Sequence, residues 1–318
     1  MPPRRRFGKR LVKSFLPIAL VIVLAVVGAI SYIVFCVSHP AKSPYVVTPE
    51  SFSRISGRAI KVTDETWTTL DKRRARGWLL RGAESAPAVV LLHRYGGDRS
   101  WLFNLGVKIN ETTGFTILWP DMRGHGENPT IKWSSLGGRD GDDLKAALNF
   151  LRSLKSENQK TLVGESFGVY GVELGAFSAL KAASTEPQIK VLVLDSVSGT
   201  SQDLLKRAIS NCVGMENRFV QLLTTQGMKL YLMGSYKDDS ACELAAGMRD
   251  QRVLLLSGND AGNLRDSTAY LPKCFPNPGN VELRTDLPLS GFSLPSATGE
   301  QSEAYDRIVI EFFARNLR

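Results

Sequence analysis

The chain has 318 residues, with 40 Lys and Arg against 31 Asp and Glu and a formal net charge of +9. Six of the positive charges lie within the first 13 residues, which contain no acidic residue, so removing them leaves +3 for the remaining 305 residues. A hydrophobic content of 43% and a charged content of 22% exclude a disordered or fibrous chain. The basic balance therefore belongs to the N-terminus and indicates no nucleic-acid partner.

Residues 15–37 form an uncharged, largely apolar stretch directly after this basic segment. As a helix rising about 1.5 Å per residue, it extends roughly 35 Å, which is long enough to cross a bilayer. A cleaved signal peptide is the alternative, but its apolar core is usually only about 7 to 15 residues long. We therefore expect a transmembrane helix at 15–37, with the basic tail 1–14 in the cytoplasm and the rest of the chain on the extracytoplasmic side.

The remaining chain is interpreted as one domain behind a short linker. Residues 38–44 are polar with two prolines and indicate a stalk. Residues 45–318 are predicted to form a single domain in which residues 197–251 are a lid segment. Short apolar, β-branched runs alternate with helical patterns, which predicts an α/β fold with a mostly parallel sheet and helices on both faces. At most one disulfide can form among Cys212, Cys242 and Cys274.

The most informative motif is Gly-Glu-Ser-Phe-Gly at residues 164–168. It follows a predicted strand at 160–163 and precedes a predicted helix at 169–183. A serine at a sharp strand-to-helix turn holds its hydroxyl exposed above the sheet, and the flanking glycines remove side chains that would clash there. Ser166 is therefore the candidate nucleophile, the alternative being a glycine-rich turn that only packs the helix on the strand.

In these segments the sequence resembles the α/β-hydrolase family, in particular its serine peptidase and esterase-like branch. Two further segments support the resemblance, His-Arg-Tyr-Gly-Gly at 93–97 and Asp-Met-Arg-Gly-His-Gly at 121–126. The resemblance implies an α/β-hydrolase fold with a small lid. It also implies an oxyanion hole formed by the backbone N–H groups of Tyr95 and Phe167, and Asp260 as the triad acid, with Asp195 as a second choice.

The sequence has no histidine at the position where the resemblance places the general base. The family places its histidine after the last strand, but residues 284–296 contain none, and the three histidines of the chain, His39, His93 and His125, all precede Ser166. Either His125, a lysine or a carboxylate replaces the usual base, or no base exists. We expect a membrane-anchored serine hydrolase acting on an ester, thioester or amide through Ser166, and the alternative is an inactive binding or scaffolding protein with the same fold.

The ligand is less defined by the sequence. Many apolar residues of the lid segment, Phe219, Leu222 and Leu230 among them, suggest an acyl or lipid-like ligand if they line a pocket, whereas packing of the lid on the core is the alternative. A peptide substrate is equally compatible with the family. No phosphate-binding loop, dinucleotide motif or metal-ligand cluster occurs in the sequence, so we expect neither a cofactor nor a metal.

Overall fold

Eight strands form one continuous sheet in the computed structural model, which describes residues 5–42, 44–57, 59–128, 131–156 and 158–317, with side chains from residue 15 onward. The strands are β1 Val62–Thr68, β2 Arg74–Leu80, β3 Ala86–Leu92, β4 Thr116–Pro120, β5 Val163–Val172, β6 Ile189–Asp195, β7 Arg252–Gly258 and β8 Val281–Leu287. Their order in space is β1-β2-β4-β3-β5-β6-β7-β8. β2 runs antiparallel to both of its neighbours, β1 and β4, and the other five pairs are parallel, which confirms the predicted mostly parallel sheet.

Helices cover both faces of this sheet. They are α1 Arg5–Ser38, α2 Pro49–Ser56, α3 Phe103–Thr113, α4 Asp140–Ser153, α5 Leu174–Ala183, α6 Ser201–Val213, α7 Arg218–Tyr231, α8 Ala241–Ala246, α9 Asn263–Tyr270 and α10 Gly299–Asn316. Successive strand residues point to opposite faces. Along β3, Val90 and Leu92 pack with α4 and α5, whereas Val89 and Leu91 pack with α3 and α10. The apolar runs of the central strands are therefore continuous because both of their faces are buried.

β5 differs most from the sequence-based expectation. Residues predicted as the first turns of a helix continue the strand, with Val169 opposite Val90 of β3 and Leu192 of β6. The helix begins only at Leu174. An apolar segment between two parallel neighbours gains strand pairing on both edges, and this tertiary pairing overrides a local helical pattern. The sequence also indicates an antiparallel edge strand at residues 58–62, and its first residue, Arg58, lies outside the described residues.

α1 has two parts with different surroundings. Its residues from Phe15 to Ala29 are exposed, and the segment Phe15–Ser38 is long and apolar enough to cross a membrane. Its last turns pack into the domain, where Val34 and Val37 are buried. Ser38 is also buried, and its carbonyl accepts the Ser134 N–H at 2.7 Å. The segment predicted as a stalk therefore begins inside the domain.

Two disulfides join distant elements. Cys36 at the end of α1 is bonded to Cys212 in α6, and Cys242 in α8 is bonded to Cys274. The second bond lies within the limit of one disulfide among the three downstream cysteines. The first was not predicted, because Cys36 lies in the stretch assigned to the membrane span. It ties the end of α1 to the helices inserted between β6 and β7.

Candidate active site

The sharp turn between β5 and α5 is formed by Glu173, whose backbone has φ 49° and ψ −102°. Such a conformation is strained for a residue with a side chain and persists only where the surroundings impose it. Gly171 and Gly175 flank it symmetrically. A Cβ on Gly175 would lie 2.3 Å from the carbonyl oxygen of Leu92, and one on Gly171 would lie 2.5 Å from the carbonyl carbon of Gly175. Residues 171–175, Gly-Val-Glu-Leu-Gly, therefore meet the spatial demands of a nucleophile turn, with glutamate in the nucleophile's place.

Ser166 is not at this turn, so the prediction that placed it there was wrong. It lies inside β5, seven residues before Glu173, which at about 3.3 Å per residue is roughly 23 Å along the strand. The neighbouring Phe167 pairs with Ile189, the first residue of β6. This part of β5 therefore lies at the N-terminal ends of the parallel strands, whereas the turn at Glu173 lies at their C-terminal ends. The amide of Phe167 donates to the carbonyl of Gln188 at 3.0 Å and is unavailable as an oxyanion donor. Residues 171–175 repeat the glycine spacing of residues 164–168, and only the observed start of α5 separates the two motifs.

Both carboxylate oxygens of Glu173 accept a hydrogen bond. Arg207 of α6 donates its Nε–H to Oε1 at 2.8 Å, and the amide of Tyr95 donates to Oε2 at 3.2 Å. Glu173 is only 4% exposed. Burial raises its pKa above the ordinary glutamate value, although the charges of Arg207 and Arg94 oppose this shift. The Tyr95 amide thus lies beside the turn, as the resemblance implied, but it faces a carboxylate of the protein itself.

His125, the predicted surrogate base, is occupied at both ring nitrogens. Its Nε2 accepts the amide N–H of Gly96 at 3.0 Å, and its Nδ1–H donates to the carbonyl of Arg123 at 2.8 Å. His93 is held in the same way, between the Met122 amide at 3.0 Å and the Arg94 carbonyl at 2.8 Å.

Burial lowers the pKa of His93 to about 4 and that of His125 to about 3. Both rings therefore stay neutral and brace the loops at 93–97 and 121–126, and neither has a free lone pair for proton transfer. The third histidine, His39, is at the end of α1, where its ring stacks on Phe35 at 4.2 Å. The assignment of His125 as a base is therefore wrong.

The two candidate acids both hold the loop that follows β8. Asp260, in a turn after β7, accepts the Ser290 amide at 2.7 Å and the Ser290 hydroxyl at 3.0 Å. Asp195, buried at the end of β6, accepts the Gly291 amide at 2.9 Å and a hydrogen bond from the hydroxyl of Tyr305. Burial raises the pKa of Asp195 to about 6. Each carboxylate lies at the C-terminal end of a strand, where an acid was expected. Its hydrogen-bond partners, however, are amides and hydroxyls instead of an imidazole.

Phe292 occupies the space beside the turn. It belongs to the loop in which the resemblance placed a histidine. The centre of its ring lies 5.5 Å from the guanidinium carbon of Arg207 and 5.7 Å from that of Arg94. Arg94 also stacks on Trp101 at 4.2 Å, and burial lowers its pKa although Glu173 opposes the shift. Glu173 itself is almost completely buried. Two arginines and an aromatic ring therefore close over the turn.

The apolar residues of the lid segment fall into two groups. Leu204, Leu205 and Ile209 of α6 are buried in the core, as the packing alternative predicts. Phe219 and Leu222 of α7 are 65% and 57% exposed, so they do not pack on the core, and they line an open surface cavity instead of an enclosed pocket.

No protein-family model matches the chain, and no curated protein matches its sequence. Solved structures do match it. An esterase from Pyrococcus furiosus has a TM-score of 0.64 and 19% identity, and the match covers 88% of this chain and 98% of that one. An esterase from Thermogutta terrifontis has a TM-score of 0.57 and 15% identity, with 80% and 100% of the two chains covered.

A third similar structure is an acylaminoacyl peptidase from Pyrococcus horikoshii, with a TM-score of 0.57 and 16% identity. That match covers 84% of this chain and 43% of the peptidase. The similarity to these three structures establishes that the chain has the α/β-hydrolase fold. At these sequence identities, structural similarity establishes the fold but not the chemistry of the site.

Proposed function

We propose that this protein is a membrane-anchored binding or scaffolding protein that has the α/β-hydrolase fold without serine-hydrolase turnover. One observation carries the proposal, namely that Glu173 stands at the nucleophile turn with its carboxylate bonded to the Tyr95 amide. An oxyanion hole works by directing such amides at a developing negative charge. Here a permanent carboxylate already takes that hydrogen bond.

The surroundings of Glu173 support the same conclusion. Acyl transfer to a serine needs a hydroxyl at the turn and a base within hydrogen-bond reach of it. The turn has a carboxylate, and the loop after β8 contributes Phe292 where a base was expected. Two of the three histidines use both ring nitrogens on the backbone, and the third is at the end of α1.

Hydrolysis through Glu173 itself is the second candidate function. Carboxylates form covalent ester intermediates in several enzyme classes, and Glu173 is placed where such a nucleophile acts. The ion pair with Arg207 at 2.8 Å and the burial of the carboxylate oppose it, because attack requires a free oxygen and later release requires a base that activates water.

The anchor is part of the proposal. α1 contains an apolar segment long enough to span a bilayer, and the basic residues precede it, which favours a cytoplasmic N-terminus. All four cysteines lie at or beyond the C-terminal end of this segment and form disulfides. Disulfides persist in oxidising compartments, so this arrangement supports an extracytoplasmic location for the domain.

Labelling with a fluorophosphonate probe and hydrolysis of short-chain aryl esters test the lack of turnover. The full chain in detergent should give neither signal above the level of the Ser166→Ala and Glu173→Gln variants. Labelling that is lost in Ser166→Ala would restore the serine hydrolase. Ester hydrolysis that is lost only in Glu173→Gln would establish the carboxylate mechanism instead.

A gain of reactivity checks that the correct turn has been identified. The double variant Glu173→Ser, Phe292→His places a hydroxyl at the turn and an imidazole in the adjacent loop. We expect it to react with the probe faster than the wild type and faster than Ser166→Ala, Phe292→His. Equal rates in the two double variants would contradict the assignment of residue 173 as the nucleophile position.

A further inference from the structure

α7 has one face buried in the domain and exposed apolar residues on the opposite face. Phe219, Leu222 and Leu230 are 65%, 57% and 82% exposed. At about 100° per residue these three positions lie within an arc of roughly 80°. The opposite face carries Thr224 and Met228, which are buried in the domain. A soluble amphipathic helix exposes a polar face, so an exposed apolar stripe marks a surface that another phase or partner covers.

The covered side of α7 packs on the last turns of α1. A Cβ on Gly227 would lie 2.7 Å from a methyl of Val34 and 3.6 Å from one of Ile30. One turn further along α7, the ring of Tyr231 lies 6.4 Å from that of His39, which follows the end of α1. The two contacts advance in the same direction along both helices. The N-terminal half of α7, with Phe219 and Leu222, therefore points back along α1 toward its exposed apolar part.

The length of α1 places this contact at the boundary of a bilayer. Lys13 is the last charged residue before the apolar segment, and residues 14–33 follow it before Val34. Twenty residues rising about 1.5 Å each cover roughly 30 Å, the thickness of a hydrocarbon core. Tyr32, 62% exposed near the end of this stretch, is of the residue type that favours the membrane interface. Phe219 lies eight residues before Gly227, up to about 12 Å further toward the membrane.

We propose that the exposed apolar residues in the N-terminal half of α7, Phe219 and Leu222, are inserted in the bilayer leaflet from which α1 emerges. The inference rests on the anchor in the proposed function, and it is independent of the chemistry at Glu173. α7 has only two charged residues, the basic Arg218 and Lys229, and Lys229 is paired with Asp238 at 3.3 Å. Arg218 suits lipid phosphates. Burial of apolar side chains in the acyl chains supplies the attraction. Insertion of α7 therefore does not require anionic lipids. The domain would then contact the membrane through two elements, α1 and α7.

Tryptophan quenching by lipids with brominated acyl chains tests the insertion. The full chain is reconstituted into phosphatidylcholine vesicles, and Phe219→Trp and Leu222→Trp are compared with the wild type, which has five tryptophans. In each variant brominated lipid should remove an additional share of the emission, roughly a sixth, because one tryptophan in six then contacts acyl chains. Tyr270→Trp, at a 59% exposed site on α9, is the matched control and should add no quenching.

A reporter inside α1 separates this inference from the anchor. Ile22→Trp should be strongly quenched, and if it is not, the membrane anchor itself is wrong. Quenching of Ile22→Trp without added quenching of Phe219→Trp and Leu222→Trp would overturn only the insertion of α7. Quenching of these two variants that disappears as the protein-to-lipid ratio rises would also overturn it, because a second copy of the chain then covers the face.

Discussion

Arg207 and Glu173 form an ion pair of 2.8 Å across two elements that the sequence separates, α6 of the inserted segment and the turn after β5. Glu173 is almost fully buried, whereas the side chain of Arg207 is 39% exposed. The pair therefore joins a buried turn to a helix that the Cys36–Cys212 disulfide also ties to α1. Through this pair Glu173 links the sheet to the inserted helices.

Removing Arg207 should destabilise the protein more than removing both members of the pair. Arg207→Ala leaves the Glu173 carboxylate buried with one hydrogen bond, and we expect a loss of about 1 to 3 kcal/mol, discounted for the partial exposure of the arginine. The double variant Arg207→Ala, Glu173→Gln should recover part of that loss. Urea unfolding of the four proteins in a double-mutant cycle measures the coupling, and strictly additive effects would show that the pair contributes nothing.

A methyl group on Gly175 should disrupt the turn. Gly175→Ala puts a Cβ 2.3 Å from the carbonyl oxygen of Leu92, in backbone that cannot move without shifting β3. We expect a loss of about 3 kcal/mol or more in the free energy of unfolding. Gly299→Ala is the matched control, because its Cβ would have no neighbour within 4 Å. Thermal unfolding of both variants provides the comparison, and similar midpoints would contradict the close packing at the turn.

The two disulfides should be found as 36–212 and 242–274 when the protein is digested without reduction and its peptides are identified by mass spectrometry. The first disulfide joins residues 176 positions apart, so its loss through Cys36→Ser, Cys212→Ser releases a long loop and should cost about 2 to 4 kcal/mol of stability. The same pair of substitutions at 242 and 274 is the control for removing a disulfide in general. A bond between Cys36 of two chains would contradict the packing of α1 on α6.

Lowering the pH should reduce the free energy of unfolding through His125, which is buried and neutral in the folded protein. Its pKa is lowered to about 3 in the folded protein, against about 6.5 for an unfolded histidine, so near pH 5 unfolding takes up a proton at this site. Its contribution to stability is present above pH 6.5 and is lost as the pH falls toward 3. Other groups titrate in the same range, including Asp195, whose raised pKa acts in the opposite direction.

The comparison of wild type with His125→Gln cancels those other groups. The slope of unfolding free energy against pH near pH 5 should be smaller in the variant by about 1.4 kcal/mol per pH unit, the value for one proton. Urea unfolding at several pH values measures it. Identical slopes would mean that His125 is not held neutral by burial.

Much of the fold could be predicted from the sequence, because the patterns that identify strands and helices are local. The apolar runs at 88–93, 191–194 and 253–256 predict buried strands that the structure contains in β3, β6 and β7. The helical pattern at 142–154 corresponds to α4. A period of two or of 3.6 residues, interrupted by turn residues, is enough to identify such elements without knowing their neighbours.

By itself the sequence determined the α/β class, the apolar N-terminal segment and the lack of a histidine after the last strand. The tertiary structure determined where β5 ends, and it therefore placed Glu173 instead of Ser166 at the turn between β5 and α5. The motifs at 164–168 and 171–175 have the same glycine spacing, so local pattern cannot separate them. Pairing of Val169 with β3 and β6 extends the strand to Val172, and only the second pair of glycines then lies where α5 meets the sheet.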